Sequence, residues 1–296
     1  MLRTASSGVI CLVLYVLLIV PFTTYLKNKP FVEKLGYVPA VSVLKSVAAD
    51  QKELVAASFV LKVLMYFGGL IEKSENQFVV PPDYKSMSRL LHGAVKLDPY
   101  NMDAYYFAQS FLTWDVKQYK LANNLLDYGM TYRTWDWQLP YFAGFNSSFF
   151  LHDYSKAAEY YKRAAELSGN NLFINLTGRY LQESGQTDLA IGYLSAMAKG
   201  ERNPALKKTY LTRLAAFKET RRIEVARDRY RKIRGTMPKT VEQLVSEGFL
   251  FPPPRDPYGG QFYLEADGKV ATTSKYAFAG VKKNSTSRAG ETDERH

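Results

Sequence analysis

The stretch DYSKAAEYYKRAAELSG, residues 153–169, carries Ala157, Tyr161 and Ala164 at the i, i+4, i+7 spacing of one helical stripe. The same spacing recurs three more times. It runs as Met87-x3-Leu91-x2-Ala94, Ala122-x3-Leu126-x2-Gly129 and Ala190-x3-Leu194-x2-Met197, so the opening residues 87, 122, 157 and 190 lie 35, 35 and 33 positions apart. About twelve residues upstream of the last three stands a second pattern. It reads Tyr105-x2-Ala108-Gln109-x2-Leu112, Pro140-x2-Ala143-Gly144-x2-Ser147 and Ile174-x2-Thr177-Gly178-x2-Leu181. Each period therefore holds two helices and a turn, with small residues where the helices meet.

A helix-turn-helix period near 34 residues with small contact residues resembles the tetratricopeptide repeat, and the resemblance covers roughly residues 55 to 200. Asp98-Pro99 closes the first unit where that family places its proline. The implied fold class is all-α: a solenoid of about four to five repeats whose first helices line a concave face. The first unit is irregular. Leu64-x2-Phe67-Gly68-x2-Ile71 supplies its first helix, but Gly68 stands 19 positions before Met87, and Pro81-Pro82 must loop out because proline continues neither helix. Ala226-x3-Tyr230-x2-Ile233 with Leu211-x2-Leu214-Ala215 forms either a fifth unit or part of one long helix. The 22 tyrosines and 17 phenylalanines cluster between Tyr105 and Tyr161 and are expected mainly in the core.

On a concave face of this kind, counting from Gln109, Gly144 and Gly178, the groove would present Tyr106, Ser110 and Thr113, then Tyr141, Phe145 and Ser148, then Asn175, Arg179 and Gln182. Such a mixture suits an extended or helical peptide, aromatic walls giving contact area and Asn, Gln and Arg reaching backbone or carboxylate. The competing reading packs Tyr141 and Phe145 against the neighbouring repeat. Family members that clamp a C-terminal carboxylate use Lys-x3-Asn in the first repeat. Met65-x3-Gly69 stands here instead.

Residues 8–22, GVICLVLYVLLIVPF, lie in a run without charge between Arg3 and Lys27. About 20 apolar residues span a bilayer. A cleaved signal peptide would need a small-x-small site, which the following VPFTTYLKNKP lacks, and Ile10 before Cys11 does not fit a lipoprotein. An uncleaved anchor contacting the membrane through residues 8–26 is the expectation. Lys27, Lys29 and Lys34 against Arg3 and the terminal amine favour a cytoplasmic bulk. The analogy with bacterial proteins carrying one N-terminal anchor favours the exported, periplasmic side of an inner membrane, and that side is adopted. The single cysteine lies inside the anchor, so no disulfide reports a compartment. The glycosylation-like triplets at Asn146, Asn175 and Asn284 are read as chance.

The net charge is +11, with a basic concentration from Lys199 to Arg234. Lys207, Lys208, Arg213, Lys218, Arg221 and Arg222 mark it as either a solvated face or a surface for anionic lipid or an acidic protein. No nucleic-acid module accompanies the charge. Beyond it, residues 237–244 read as a short helix opened by Pro238 and stopped by Gly248. After FPPPRDPYGG (251–260), alternation about Asp267-Gly268 reads as a hairpin. The Asp256-Pro-Tyr-Gly-Gly turn with its hairpin loosely resembles the C-terminal part of secretion pseudopilins. A structural cap on the last helix is the preferred role.

The segments follow: 1–26 anchor, 27–52 juxtamembrane segment, 53–204 repeat array, 205–235 basic helical region, 236–281 short helix and hairpin, 282–296 disordered tail. His92, His152 and His296 have no second ligand nearby in sequence, and no phosphate loop, nucleophile elbow or cysteine pair occurs. No catalytic, cofactor-binding or metal-binding residue is expected. The expected function is a membrane-anchored interaction scaffold in secretion, pilus or envelope assembly. A peripheral membrane-organising protein is the alternative, and an enzyme would need a site that the sequence does not pair.

Overall fold

The computed structural model describes residues 14–25, 35–37, 39–75 and 82–276. The chain divides into two compact units, Met1–Arg133 and Thr134–His296.

The first unit opens with the apolar helix α1, Leu14–Tyr25. Residues 8–13 and 26 of the expected anchor lie outside the described residues. Next come α2 (Val41–Ala48), a 3-10 turn (Ala49–Gln51), α3 (Lys52–Glu75), α4 (Tyr84–Leu97), α5 (Met102–Trp114) and α6 (Tyr119–Tyr132). Among the described residues the segment Val41–Leu70 is long and apolar enough to cross a membrane, whereas α1 is a shorter apolar helix. Ala56, Val60, Val63 and Leu70 of α3 are nevertheless buried, and α3 packs on α4 and α5.

The periodic residues do what their spacing requires. Met87, Leu91 and Ala94 of α4 are buried, as are Tyr105, Ala108, Gln109 and Leu112 of α5 and Ala122, Leu126 and Gly129 of α6. The Asp83 side chain accepts from Ser86 N–H and that of Asn101 from Ala104 N–H, so α4 and α5 begin on capped donors. The first pair differs from expectation in register. Gly68 is exposed, and an added Cβ there would meet nothing within 4 Å. Instead Phe59 lies over Gly93, and the buried stripe is Ala56, Val60 and Val63, about two turns upstream. The reason is burial: each buried valine is worth about 1.5–3 kcal/mol, whereas a glycine has no side chain to contribute.

The second unit contains α7 (Gln138–Phe145), which runs into a π-helical turn (Asn146–Phe150), α8 (Tyr154–Ser168), α9 (Asn171–Glu183) and α10 (Thr187–Gly200). It continues with α11 (Pro204–Arg234), α12 (Val241–Ser246) and the strands β1 (Phe262–Leu264) and β2 (Val270–Thr272). Each helix pair is interlocked by a glycine. A Cβ on Gly144 would stand 3.2 Å from three ring atoms of Tyr161, and one on Gly178 would stand 3.1 Å from Leu194 Cγ. Asp153, Asn170 and Asn203 cap α8, α9 and α11, and Gly169 and Gly235 end α8 and α11 at φ +65° and +73°. This succession of packed antiparallel-reading pairs is the all-α repeat architecture.

Residues 204–234 form one 31-residue helix, not a fifth pair. Leu211 is 47% exposed, and Ala215 and Ile233 are exposed too. The buried stripe is Tyr210, Leu214, Phe217, Ile223, Ala226 and Tyr230, and it continues the core of α10 into α12 and the hairpin through Leu244, Phe262 and Val270. Composition changes at residues 204 and 235, but this packing runs through both.

The strands pair antiparallel, Phe262 with Thr272 and Leu264 with Val270. Asp256 ties the hairpin base: Oδ1 accepts from Tyr258 N–H at 2.8 Å, and Oδ2 accepts from Ser274 Oγ at 2.6 Å and from Thr272 Oγ1. A Cβ on Gly260 would stand 2.6 Å from Asp256 Oδ2, so only glycine fits there. Residues 277–296, and with them the expected tail, lie outside the described residues.

Candidate partner-binding faces

In the first unit α3 and α5 flank a cleft of about 170 Å³ floored by Met87 and Leu91 of α4. Tyr106, 48% exposed, and half-buried Ser110 line it, together with Phe67 and Phe111. Thr113 is buried in α5 and does not line this cleft. Asp115 sits at the rim, and burial raises its carboxyl above the ordinary value. The walls are otherwise apolar, so the cleft suits a hydrophobic anchor residue with one or two polar contacts.

In the second unit the remaining six residues fall into three settings. Tyr141 and Phe145 are half-buried and packed: the Tyr141 ring lies 5.4 Å from Phe173 on α9, and Phe145 stacks on Phe149 at 5.4 Å. Ser148 and Asn175 are buried. Ser148 Oγ donates to Phe145 C=O at 3.2 Å, and Asn175 Nδ2 donates to Asn171 C=O at 2.9 Å, while Asn175 Oδ1 has no partner among the described residues. Arg179 is exposed, its guanidinium 5.6 Å from the Tyr180 ring, while Gln182 is buried. Both line a cavity of about 230 Å³ against the C-terminal hairpin.

An aromatic ladder runs beneath this face. Phe173, Tyr161, Tyr180 and Tyr154 follow one another at centroid distances of 6.3, 5.5 and 5.8 Å, with interplanar angles of 19°, 12° and 16°. Burial pushes the Tyr161 phenol well up, as expected of a ring that serves packing in the middle of the ladder.

The basic helix divides by residue type. Arg213 donates to Asn175 C=O at 3.0 Å and to Tyr276 C=O at 2.9 Å. Arg221 bonds Asp188 at 2.8 Å, and Arg222 bonds Glu219 at 2.6 Å and Pro252 C=O at 2.9 Å. These arginines fasten the surrounding elements to α11. Lys207, Lys208 and Lys218 are exposed and remain the cationic residues of that group facing solvent.

His92 Nδ1 lies 2.8 Å from Ser88 C=O, and His152 lies against Tyr154. Among the described residues no group of three or more His, Cys, Asp and Glu is placed to hold a metal ion. The residues that sequence reasoning missed are those of the hairpin, above all Lys269 and Lys275, which meet α9 across the second cavity. They stand some ninety positions from Arg179, and no period links them to it.

No protein-family model matches the chain, and no curated protein matches it in sequence. Eleven solved chains match in structure. One is the crystal structure of MamA, 17% identical, covering 52% of this chain and 81% of that one at a TM-score of 0.35. Another is the crystal structure of YrrB, a TPR protein with an unusual peptide-binding site; it is 19% identical, covering 71% of this chain and 100% of that one at a TM-score of 0.37. Both scores are low, and the repeat architecture rests on the packing described above.

Proposed function

We infer that the chain is a membrane-anchored tetratricopeptide scaffold, without chemistry of its own, that holds a partner protein at a bacterial inner membrane. Residues 8–26 serve as the anchor and the helical units stand on the exported side, in a setting such as secretion, pilus or envelope assembly. The observation that carries this reading is the first-unit cleft, where Tyr106 and Ser110 line an apolar hollow between successive first helices. A helical array offers side chains to a partner at such positions.

Two variants test it. Ser110→Trp fills the cleft, and Tyr106→Ala removes its most exposed wall. Full-length protein is crosslinked in membranes, solubilised and purified, and the co-purifying proteins are compared with wild type. A partner lost from both variants, with helical circular dichroism unchanged, supports the reading; an identical set from all three refutes it. Removal of residues 1–26 is expected to release the protein into the soluble fraction.

A further inference from the structure

On a helix at the surface of a packed array, the face turned away from its neighbours carries the charge. α8 follows this rule and exposes Lys156, Glu159, Lys162 and Glu166. α3 breaks it. From Leu54 to Ile71 the chain holds a single charged residue, Lys62. α3 packs on α4 and α5 and buries Ala56, Val60, Val63 and Leu70, yet its other side presents Leu54, Ala57, Ser58, Leu61, Met65 and Gly68 to solvent. Leu54, Leu61 and Met65 are 66%, 58% and 70% exposed. At about 3.6 residues per turn the six exposed residues fall on one arc of about 100°, opposite the buried stripe, with Glu53 and Lys62 just outside it on either side. None of them lines the Tyr106 cleft.

We propose, on the premise that residues 8–26 are the anchor, that this outer face of α3 rests on the lipid bilayer as a second membrane contact and lays the first unit along the membrane surface. Residues 26–40 join α1 to α2 and reach at most about 50 Å, so α3 is held close to the bilayer in which α1 sits. A helix lying in the interface needs an apolar face, which sinks about 5–10 Å to the acyl boundary, and cations beside it. Lys62 and Lys52 are exposed and supply those, their stems along the apolar surface and their ammonium groups at headgroup level. α3 does not cross the bilayer, because Lys85, Arg89 and Lys96, exposed on the α4 it packs against, would enter the hydrocarbon with it. A second copy of the chain covers this face poorly: three large side chains spread over about 21 Å fall well short of the about 800 Å² per partner that a stable dimer buries. The grip is marginal and reversible, like that of a single acyl chain, so it orients the first unit while the anchor retains the protein.

The test uses full-length protein carrying Cys11→Ser, which removes the single native cysteine, reconstituted in phosphatidylcholine vesicles with plain or brominated acyl chains. An environment-sensitive fluorophore is placed on one introduced cysteine at a time. Labels on Leu61→Cys and Met65→Cys should lose most of their emission in the brominated vesicles, as a label on Leu17→Cys in the anchor does, while one on Lys120→Cys, exposed on α6, should keep it. The loss should persist in about 1 M salt, where charges are screened beyond about 3 Å. A label on Ser58→Cys should be quenched likewise and recover when Leu61→Glu and Met65→Glu are added, with circular dichroism unchanged and the protein still in the vesicles. Quenching at position 17 but not at 61 and 65 overturns the proposal and leaves the anchor standing. No quenching at 17 overturns the anchor, and the proposal with it. Equal quenching at 120 overturns it, as does a blue-shifted but unquenched label at 61, which would mean that protein covers this face. Quenching that disappears in salt overturns it in favour of the exposed cations of α11.

Discussion

Gly178→Ala probes whether the helix pairs touch where the repeat spacing requires. The new Cβ would stand 3.1 Å from Leu194 Cγ and 3.2 Å from each Leu194 Cδ. Leu194 is fully buried in the cluster that holds Ala190, Ala198 and Tyr210, so it has no open side to move into. Two terms oppose one another. Alanine in a helix interior is favoured over glycine by about 1 kcal/mol. Forcing a methyl into a closed core costs about 1–3 kcal/mol. The net effect is a destabilisation of about 0–2 kcal/mol. Gly192 on α10 is the control: it is exposed, and its added Cβ meets nothing within 4 Å, so Gly192→Ala keeps the full propensity gain of about 1 kcal/mol. Melting followed by far-UV circular dichroism should therefore rank Gly192→Ala above wild type and Gly178→Ala at or below it, at about 2–4 °C per kcal/mol for a unit of this size. In a Leu194→Ala background the space vacated accepts the methyl, and the Gly178→Ala penalty should vanish. If Gly178→Ala stabilises as much as Gly192→Ala, α9 and α10 do not meet at this point and the register is wrong.

Arg213→Met should destabilise the second unit by about 2–3 kcal/mol, because it strips charge-assisted donors from Asn175 C=O and Tyr276 C=O, whereas Lys208→Gln should stay within about 0.5 kcal/mol; urea titration of both compares them. Burial raises the Glu224 carboxyl, a shift only partly offset by Thr187, Arg221 and Arg227. A raised folded-state value means that the stability the group contributes is complete below its ordinary value of 4.5 and is lost as pH rises through the folded value. Glu224→Gln should thus raise the melting temperature near neutral pH, and this advantage should shrink at about pH 4; an advantage that grows on acidification would show that the ion pairs outweigh burial.

The helix pairs were legible because small residues at i, i+4 and i+7 leave few alternatives: Ala157, Tyr161 and Ala164 cannot all be buried except on one helical stripe. The register of the first pair was not. Pattern matching treats Gly68 as a contact residue by analogy with Gly144 and Gly178, but α3 is apolar around most of its circumference, and a helix of that kind offers several stripes that match equally well. The volume buried by Val60 and Val63 decides between them. The same ambiguity separates Leu211 from Tyr210 on α11, where one step in the chain turns the helix by about 100° and moves the contact face. Tyr210, 1% exposed, carries the larger ring into the core.

Which of the candidate groove positions stay open was legible only in part, and the reason lies in what a first helix touches next. One and five positions past the contact stripe point toward the following first helix as well as toward a groove, so residues there are drawn into packing when the neighbour supplies a ring. Phe173 does so for Tyr141. Tyr106, 48% exposed, lines a cleft in its own unit. The charge on α11 was legible only as a count. A count of cations on α11 does not distinguish lysine from arginine, yet the planar guanidinium bonds main-chain carbonyls in two directions at once, and the ammonium of an exposed lysine keeps its water. The arginines at 213, 221 and 222 accordingly became fasteners, while the lysines at 207, 208 and 218 stayed in solvent. Any electrostatic role of this helix toward a lipid surface would fall to its exposed cations, these lysines together with Arg229, Arg231 and Lys232, and it would weaken with salt as separated, exposed charges do.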